Sequence, residues 1–288
     1  MTYRSVLEGL HMPECPRWHE GELWFVDIWG HQLLRLDGDG IAHVVHQFPD
    51  DEEPAGLGWL PDGRLLVVGT LGRVVYVLDG DDLGVHADLR EFTPFPLNDM
   101  IATSDGTAYV SGFGWDVWSD EAAYADSNLI RVRPNGRADV VVEAMMAPNG
   151  MAITDDGSTL FVAEPAGGRL SRFSVTGDGA LRDRHLVPLE KAVGAEYVTP
   201  DGICLDTDGA VWAADPLGRR VIRVLSDGTI ERVAPVDDGY PLACVLGGPE
   251  RRTLFIAVGA ATSKRDRPAQ PQGRLLATTV DVPGTGRP

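Results

Sequence analysis

Apolar residues along this chain fall in short alternating runs separated by turns, and the sustained spacing of a long amphipathic helix is absent. The runs are phased. An apolar strand reaches a tight turn, most often Asp-Gly, and returns as a second apolar strand. Five copies are plain, at residues 18–26, 59–67, 102–110, 153–162 and 205–212, and a degenerate sixth covers 246–256. Each is followed by a third apolar strand, at 32–36, 74–78, 128–132, 170–174, 221–225 and 274–278, and in most copies by a turn and a fourth. Four antiparallel strands repeated at roughly 40 to 50 residues are the signature of propeller blades. The prediction is an all-β fold: one six-bladed β-propeller domain spanning residues 1–288, with four-stranded antiparallel blades. Residues 2–7 are extended and left over, so they are expected to pair with the last blade and close the ring, leaving few free sheet edges. A β-sandwich accounts for alternating strands but not for six phased hairpins.

Aligning the repeats on the turn aspartate and stepping back to the start of the innermost strand gives one residue per blade that faces the channel. Those residues are Glu14, Ala55, Asn98, Asn149, Asp201 and Ala243. Four carry oxygen, and pseudo-six-fold geometry would aim them at a common centre. Two carboxylates with two amides suit one divalent metal ion, namely calcium, magnesium or manganese, with zinc possible at low coordination number. Read singly, Asn149-Gly150 and Asp201-Gly202 are also compatible with ordinary turns, and Glu14 with a solvated charge.

Composition narrows the partners. With Lys+Arg 25 against Asp+Glu 43, the formal net charge is −18, which opposes nucleic acid and anionic membrane surfaces and attracts cations. No apolar run approaches the roughly 20 residues of a membrane span, and the polar start at Met1-Thr2-Tyr3-Arg4 lacks a signal-peptide hydrophobic stretch, so a soluble, cytoplasmic protein is expected. Cys15, Cys204 and Cys244 show no CxxC spacing and read as buried bystander thiols. The seven histidines do not share the channel phase. The acidic run Asp50-Asp51-Glu52-Glu53 reads as a solvated loop, and Lys264-Arg265-Asp266-Arg267 receives no function.

Several stretches resemble the gluconolactonase, regucalcin and luciferin-regenerating-enzyme family: Glu14-Cys15-Pro16-Arg17-Trp18 leading to Trp24-Phe25-Val26-Asp27-Ile28, Asn98-Asp99, Pro148-Asn149-Gly150-Met151-Ala152, and Pro200-Asp201-Gly202. The similarity runs in order over nearly the whole chain. It implies that Glu14, Asn149 and Asp201 ligate the metal directly, that Asn98 is a nearby ligand or substrate contact, and that Asp201 doubles as catalytic base. The implied reaction is lactone hydrolysis. A metal polarises the carbonyl and lowers the pKa of water while a carboxylate takes the proton. No Gly-x-Ser-x-Gly nucleophile elbow is present.

The sequence departs from the sugar-lactone members of that family at Pro96, where they resemble one another in carrying an arginine. Beside it, Phe113-Gly114-Trp115-Asp116-Val117-Trp118 opens an insertion in blade three that reaches to about Ser127, and Met145-Met146 precedes Asn149. Together with Trp29, the residues Phe113, Trp115, Trp118 and Met146 are expected to line an apolar pocket for a hydrophobic or aromatic small molecule rather than an aldonolactone. Tryptophan and methionine also fill blade cores without any ligand. Two other classes stay open: a non-catalytic metal-binding propeller, and a lyase or isomerase acting on an apolar natural product at the same site.

Overall fold

A computed structural model describes residues 1–117, 119, 121–189 and 197–286. Its strands form six antiparallel sheets arranged as a six-bladed β-propeller. Blade one consists of Pro13–His19, Glu22–Asp27, Gln32–Leu36 and Ala42–Gln47; blade two of Pro54–Trp59, Leu65–Gly69, Val74–Asp79 and Asp82–Asp88. Blade three consists of Leu97–Ala102, Ala108–Gly112, Ser127–Val132 and Ala138–Met145; blade four of Met151–Ile153, Thr159–Glu164, Arg169–Val175 and Leu181–Pro188. Ile203–Asp206, Val211–Asp215, Arg220–Val224 and Ile230–Pro235 make blade five. Blade six has Tyr240–Gly247, Thr253–Gly259 and Gly273–Thr279 from the end of the chain, and its outermost strand is Arg4–Leu10.

That last pairing, with Arg4 opposite Ala277 and Glu8 opposite Arg274, closes the ring as the leftover N-terminal segment predicts. The strand begins two residues later than expected and extends to Leu10. The far end of the chain adds a feature that the repeat did not announce. Gly284–Thr285 pairs with Leu205 and Asp206 on the free edge of the first strand of blade five, making that sheet five-stranded.

The hairpins follow from turn chemistry. Asp62, Asp105 and Asp156 each accept a hydrogen bond from the backbone N–H two residues on, at 3.2, 2.9 and 3.0 Å, and the glycine that follows each takes the left-handed φ that the turn demands. Apolar residues on alternate positions then pack between neighbouring sheets. Leu23, Phe25, Leu34, Val245, Phe255 and Leu275 fill the space between blades six and one. Separate clusters join three to four, four to five and five to six, and one larger cluster spans one to three. Each fully buried aliphatic or aromatic side chain contributes about 1.5–3 kcal/mol relative to exposure, so stability is distributed around the ring.

The acidic run before blade two is solvated only in its first half: Asp50 and Asp51 are exposed, but the two glutamates are not. Glu52 and Glu53 are 5% and 2% exposed. Glu52 accepts from the N–H groups of Glu53, Leu71 and Gly72 and from Tyr76 Oη, and Glu53 pairs with Lys264 Nζ at 2.6 Å. Burial is tolerated because these carboxylates receive donors that the sequence scatters over blades two and six. Among the described residues no helix is long and apolar enough to cross a membrane.

Candidate metal centre and substrate cavity

The first strands of successive blades contact one another around the axis. In blades one to five the channel residue sits at the head of its strand or just before it, and in blade six Ala243 is the fourth residue of Tyr240–Gly247. In blades one and three the register slips between Glu14 and Arg17 and between Leu97 and Met100, local irregularities that re-aim a side chain out of the regular pleat. At Glu14 the kink is pronounced: Cys15 adopts φ +48, and its N–H donates back to Glu14 Oε2 at 2.8 Å.

In blades four and five, glycine does a different job from the turn role that the dipeptides allow. Neither Gly150 nor Gly202 has a positive φ. A Cβ on Gly150 would lie 2.4 Å from Asp201 O, and one on Gly202 would lie 2.2 Å from Ala243 Cβ. The bare glycines let the inner strands approach, and this closeness carries Asn149 and Asp201 to the axis. Backbone bonds Asn149 N to Ala163 O and Asp201 N to Ala214 O, both 2.9 Å, hold them there.

Glu14, Asn98, Asn149 and Asp201 line one cavity of about 330 Å³. Phe113, Trp115 and Val117 from the blade-three insertion form part of its wall, and Trp115 packs between Phe113 and Tyr124 at centroid distances of 5.7 and 4.9 Å. Trp29 is elsewhere: it is 1% exposed, belongs to the core shared by blades one to three, and has Arg267 stacked 5.8 Å from its ring. Met146 is half-buried beyond the cavity wall, its N–H bound to Glu164 Oε2 at 2.8 Å. Trp118 lies outside the described residues.

Several wall residues went unnoticed in the sequence. Ile28, Thr70, Pro165 and Pro216, like Phe113, each follow the last residue of the second strand of their blade, so a second phase of the repeat would have exposed them. Met12, Thr199, Leu217, Leu242 and Thr262 complete the wall. Thr70 Oγ1 is buried without a hydrogen-bond partner. Arg17 and Asp99 were also missed: Arg17 Nη2 reaches Asp99 Oδ1 at 2.7 Å and Met100 O at 2.6 Å, a buried pair joining blades one and three next to the donor set.

Electrostatics favour a cation here. Burial pushes the Glu14 carboxyl up to about 8, with the N–H of Cys15 lowering it, Asp99 raising it and Arg17 opposing that rise. Asp201 is pushed well above the ordinary carboxylate range by burial and then by Glu14 and Asp99, against a hydrogen bond donated by Asn149. No Lys, Arg or His is among the described residues lining the cavity. A divalent ion would relieve this repulsion, and the donors are all oxygen, so they fit a hard cation. Among the described residues there is no cluster of three or more His, Cys, Asp or Glu arranged for a metal; half of this donor set is amide.

Fold and cavity together define a six-bladed propeller with a hard-oxygen donor set in its channel. At the other end of the channel the C-terminal pairing on blade five leaves a space of only about 20 Å³, beside Trp18, Leu205 and Gly286. The chain belongs to the SMP-30/Gluconolactonase/LRE-like family, whose model matches residues 12–260. It is 28% identical to a 6-deoxy-6-sulfogluconolactonase of Pseudomonas putida, over 96% of this chain and 93% of that one. It is also 28% identical to a pentonolactonase of Haloferax volcanii, over 100% and 97%. The crystal structure of a calcium-binding protein, regucalcin, from Agrobacterium tumefaciens superposes with a TM-score of 0.81 at 19% identity, covering 100% of this chain and 96% of that one, a likeness of fold.

Proposed function

We propose that this protein is a divalent-metal-dependent hydrolase that opens a hydrophobic or aromatic lactone. The observation that carries this reading is the convergence of Glu14, Asn98, Asn149 and Asp201 on one cavity whose remaining walls are mostly apolar and bear no Lys, Arg or His among the described residues. The relatives named lactonases support the ring-opening reaction. Their names specify sugar lactones, whose hydroxyl groups call for polar partners, whereas here Phe113, Trp115, Val117, Ile28, Leu217 and Leu242 line the cavity and Pro96 supplies no cation.

Glu14, Asn149 and Asp201 would hold the metal, with Asn98 beside them as a further ligand or substrate contact. When bound, such an ion supplies Lewis-acid polarisation of the ester carbonyl and favours ionisation of water. Asp201 takes a proton from the attacking water as the new C–O bond forms at the carbonyl carbon. The ring C–O bond then breaks, Asp201 returns the proton to the departing alkoxide, and a hydroxy acid leaves. Asn98 donates its amide N–H to the substrate and orients it. Phe113 and Trp115 bury the hydrocarbon portion and exclude bulk water.

A pH-indicator screen of aryl, alkyl and sugar lactones on the metal-loaded protein tests this. Faster turnover of aryl or alkyl lactones is expected. Appreciable gluconolactone turnover without activity on the others defeats the substrate class, and bound metal without hydrolysis of any ester points instead to a lyase, an isomerase or a structural ion.

A further inference from the structure

The last residue of the second strand differs among the six blades in step with the three proposed direct ligands, blade three with Asn98 falling in the other group. In blades one, four and five it is Asp27, Glu164 and Asp215; in blades two, three and six it is Gly69, Gly112 and Gly259. The three acidic blades are those that present Glu14, Asn149 and Asp201. All three carboxylates are deeply buried, at 2%, 0% and 0% exposure.

Each reaches sideways to the backbone just ahead of its blade's channel residue. Asp27 Oδ1 accepts from Met12 N at 2.7 Å and Oδ2 from His11 N at 2.9 Å, two and three residues before Glu14. Glu164 Oε2 accepts from Met146 N at 2.8 Å, three residues before Asn149. Asp215 Oδ1 accepts from both Thr199 N and Thr199 Oγ1 at 2.9 Å, two residues before Asp201. The second oxygen is used too: Arg220 Nε donates to Asp215 Oδ2 at 2.7 Å, and Ser171 and Arg184 donate to Glu164 Oε1. A carboxylate can accept on both oxygens, whereas an amide must turn its NH2 toward one of these donors.

We propose that Asp27, Glu164 and Asp215 are positioning residues that fix where Glu14, Asn149 and Asp201 enter the channel and so set metal affinity. The inference rests on the metal centre proposed above. Buried groups that orient ligands typically change metal affinity by about 10–100-fold when altered. Blade two provides an internal control, because its channel residue is Ala55 and the N–H of Glu53, two residues before it, is served by the adjacent carboxylate of Glu52 at 3.0 Å. Glu52 is as well buried and as richly bonded as the other three, yet it precedes no donor to the metal.

The test is isothermal titration of the chelated full-length protein with calcium and, separately, manganese, for the wild type, Asp27→Asn, Glu164→Gln, Asp215→Asn and Glu52→Gln. Thermal melts in chelator are run alongside. All four substitutions are expected to lower the metal-free melting temperature. Only the first three should weaken metal binding, each by about 10–100-fold, and Glu52→Gln should leave it within about twofold of wild type. The three blades are independent trials, so one variant that fails to fold leaves two. Unchanged affinity in the folded blade-one, -four and -five variants, or an equal loss in Glu52→Gln, overturns the positioning role alone. A wild type that binds neither of these ions, nor magnesium or zinc titrated in the same way, overturns both this inference and the metal centre beneath it.

Discussion

Blades two and five are built on one plan and do different work. Both have the four antiparallel strands of a blade, to which blade five adds the short Gly284–Thr285 pairing, and both have a glycine after the channel residue that allows close approach: Gly56 against Met100 N and Gly202 against Ala243. They differ at two points, Ala55 against Asp201 and Gly69 against Asp215. The blade is thus a scaffold that tolerates either content. Stability lies in the repeated strands and the layers between them, while the proposed chemistry lies in a few positions near the head of the inner strands. Changes at those positions should separate activity from folding.

The largest separation is expected at the channel residue itself. Asp201→Ala should lower lactone turnover by about 1,000-fold or more, since it removes the side chain proposed as both metal donor and proton acceptor. Its metal-free melting temperature should hold or rise, because a buried carboxylate repelled by Glu14 and Asp99 is lost. The matching change in blade two, Ala55→Gly, should leave turnover unchanged and cost about 0.5–1 kcal/mol of stability. Unfolding of Asp201→Ala, seen by circular dichroism, would contradict the division.

Acid should act through blade four. Burial pushes the Glu164 carboxyl up, but the hydrogen bonds from Arg169, Ser171, Met146 and Arg184 outweigh it and hold the group at about 2. A depressed folded-state value stabilises the protein above the ordinary carboxylate range, and that contribution disappears as pH falls from about 4.5 towards 2. With Arg169 and Arg184 partly solvated, the contribution is on the order of 2–3 kcal/mol. Denaturant titrations across that interval should show a steeper loss in wild type than in Glu164→Gln. Parallel curves would remove Glu164 as a source of acid sensitivity.

A smaller effect should come from the close approaches. Gly202→Ala and Gly56→Ala both drive a Cβ into backbone or methyl groups within 2.2 Å, so each should cost about 1–3 kcal/mol by chemical denaturation. Gly202 follows Asp201 directly, whereas the Gly56 clash falls on Asp99 and Met100, one and two residues past Asn98, so at a temperature where both variants are folded the blade-five change should slow hydrolysis more. Equal slowing in both would mean that ring geometry as a whole, rather than the head of one strand, governs the site. The smallest effect is expected at the wall: Trp115→Ala should raise KM for an aryl lactone about tenfold with kcat little changed, because it removes binding that does not alter at the transition state.

Much of this was legible in the chain. The six phased hairpins, four of them turning at Asp-Gly, specify blades because their period and turn chemistry are local, and reading one phase picked out Glu14, Asn98, Asn149 and Asp201, which the fold brings to one cavity. What escaped depends on contacts between blades. Glu52 and Glu53 look like solvent-facing charges because their donors come from residues 71, 72, 76 and 264. Trp29 looks like a pocket residue because it lies next to a channel loop, yet the core of blades one to three claims it. Arg17 and Asp99 are 82 residues apart and meet only when the ring closes. Glycines 150 and 202 carry the familiar turn signal, but their reason is the proximity of the next blade.

The proposed function is that the oxygen set at the head of the inner strands holds a divalent ion on which ester hydrolysis depends. Its most direct test follows acid release from an aryl lactone by chelated wild-type protein as calcium, magnesium, manganese or zinc is added back, with binding of the same ion measured in parallel. Hydrolysis that is absent in chelator and returns in proportion to site occupancy, for wild type but not for Glu14→Gln at the same ion concentration, is the predicted result. Hydrolysis that persists at full rate in chelator, with no ion taken up, would contradict the account.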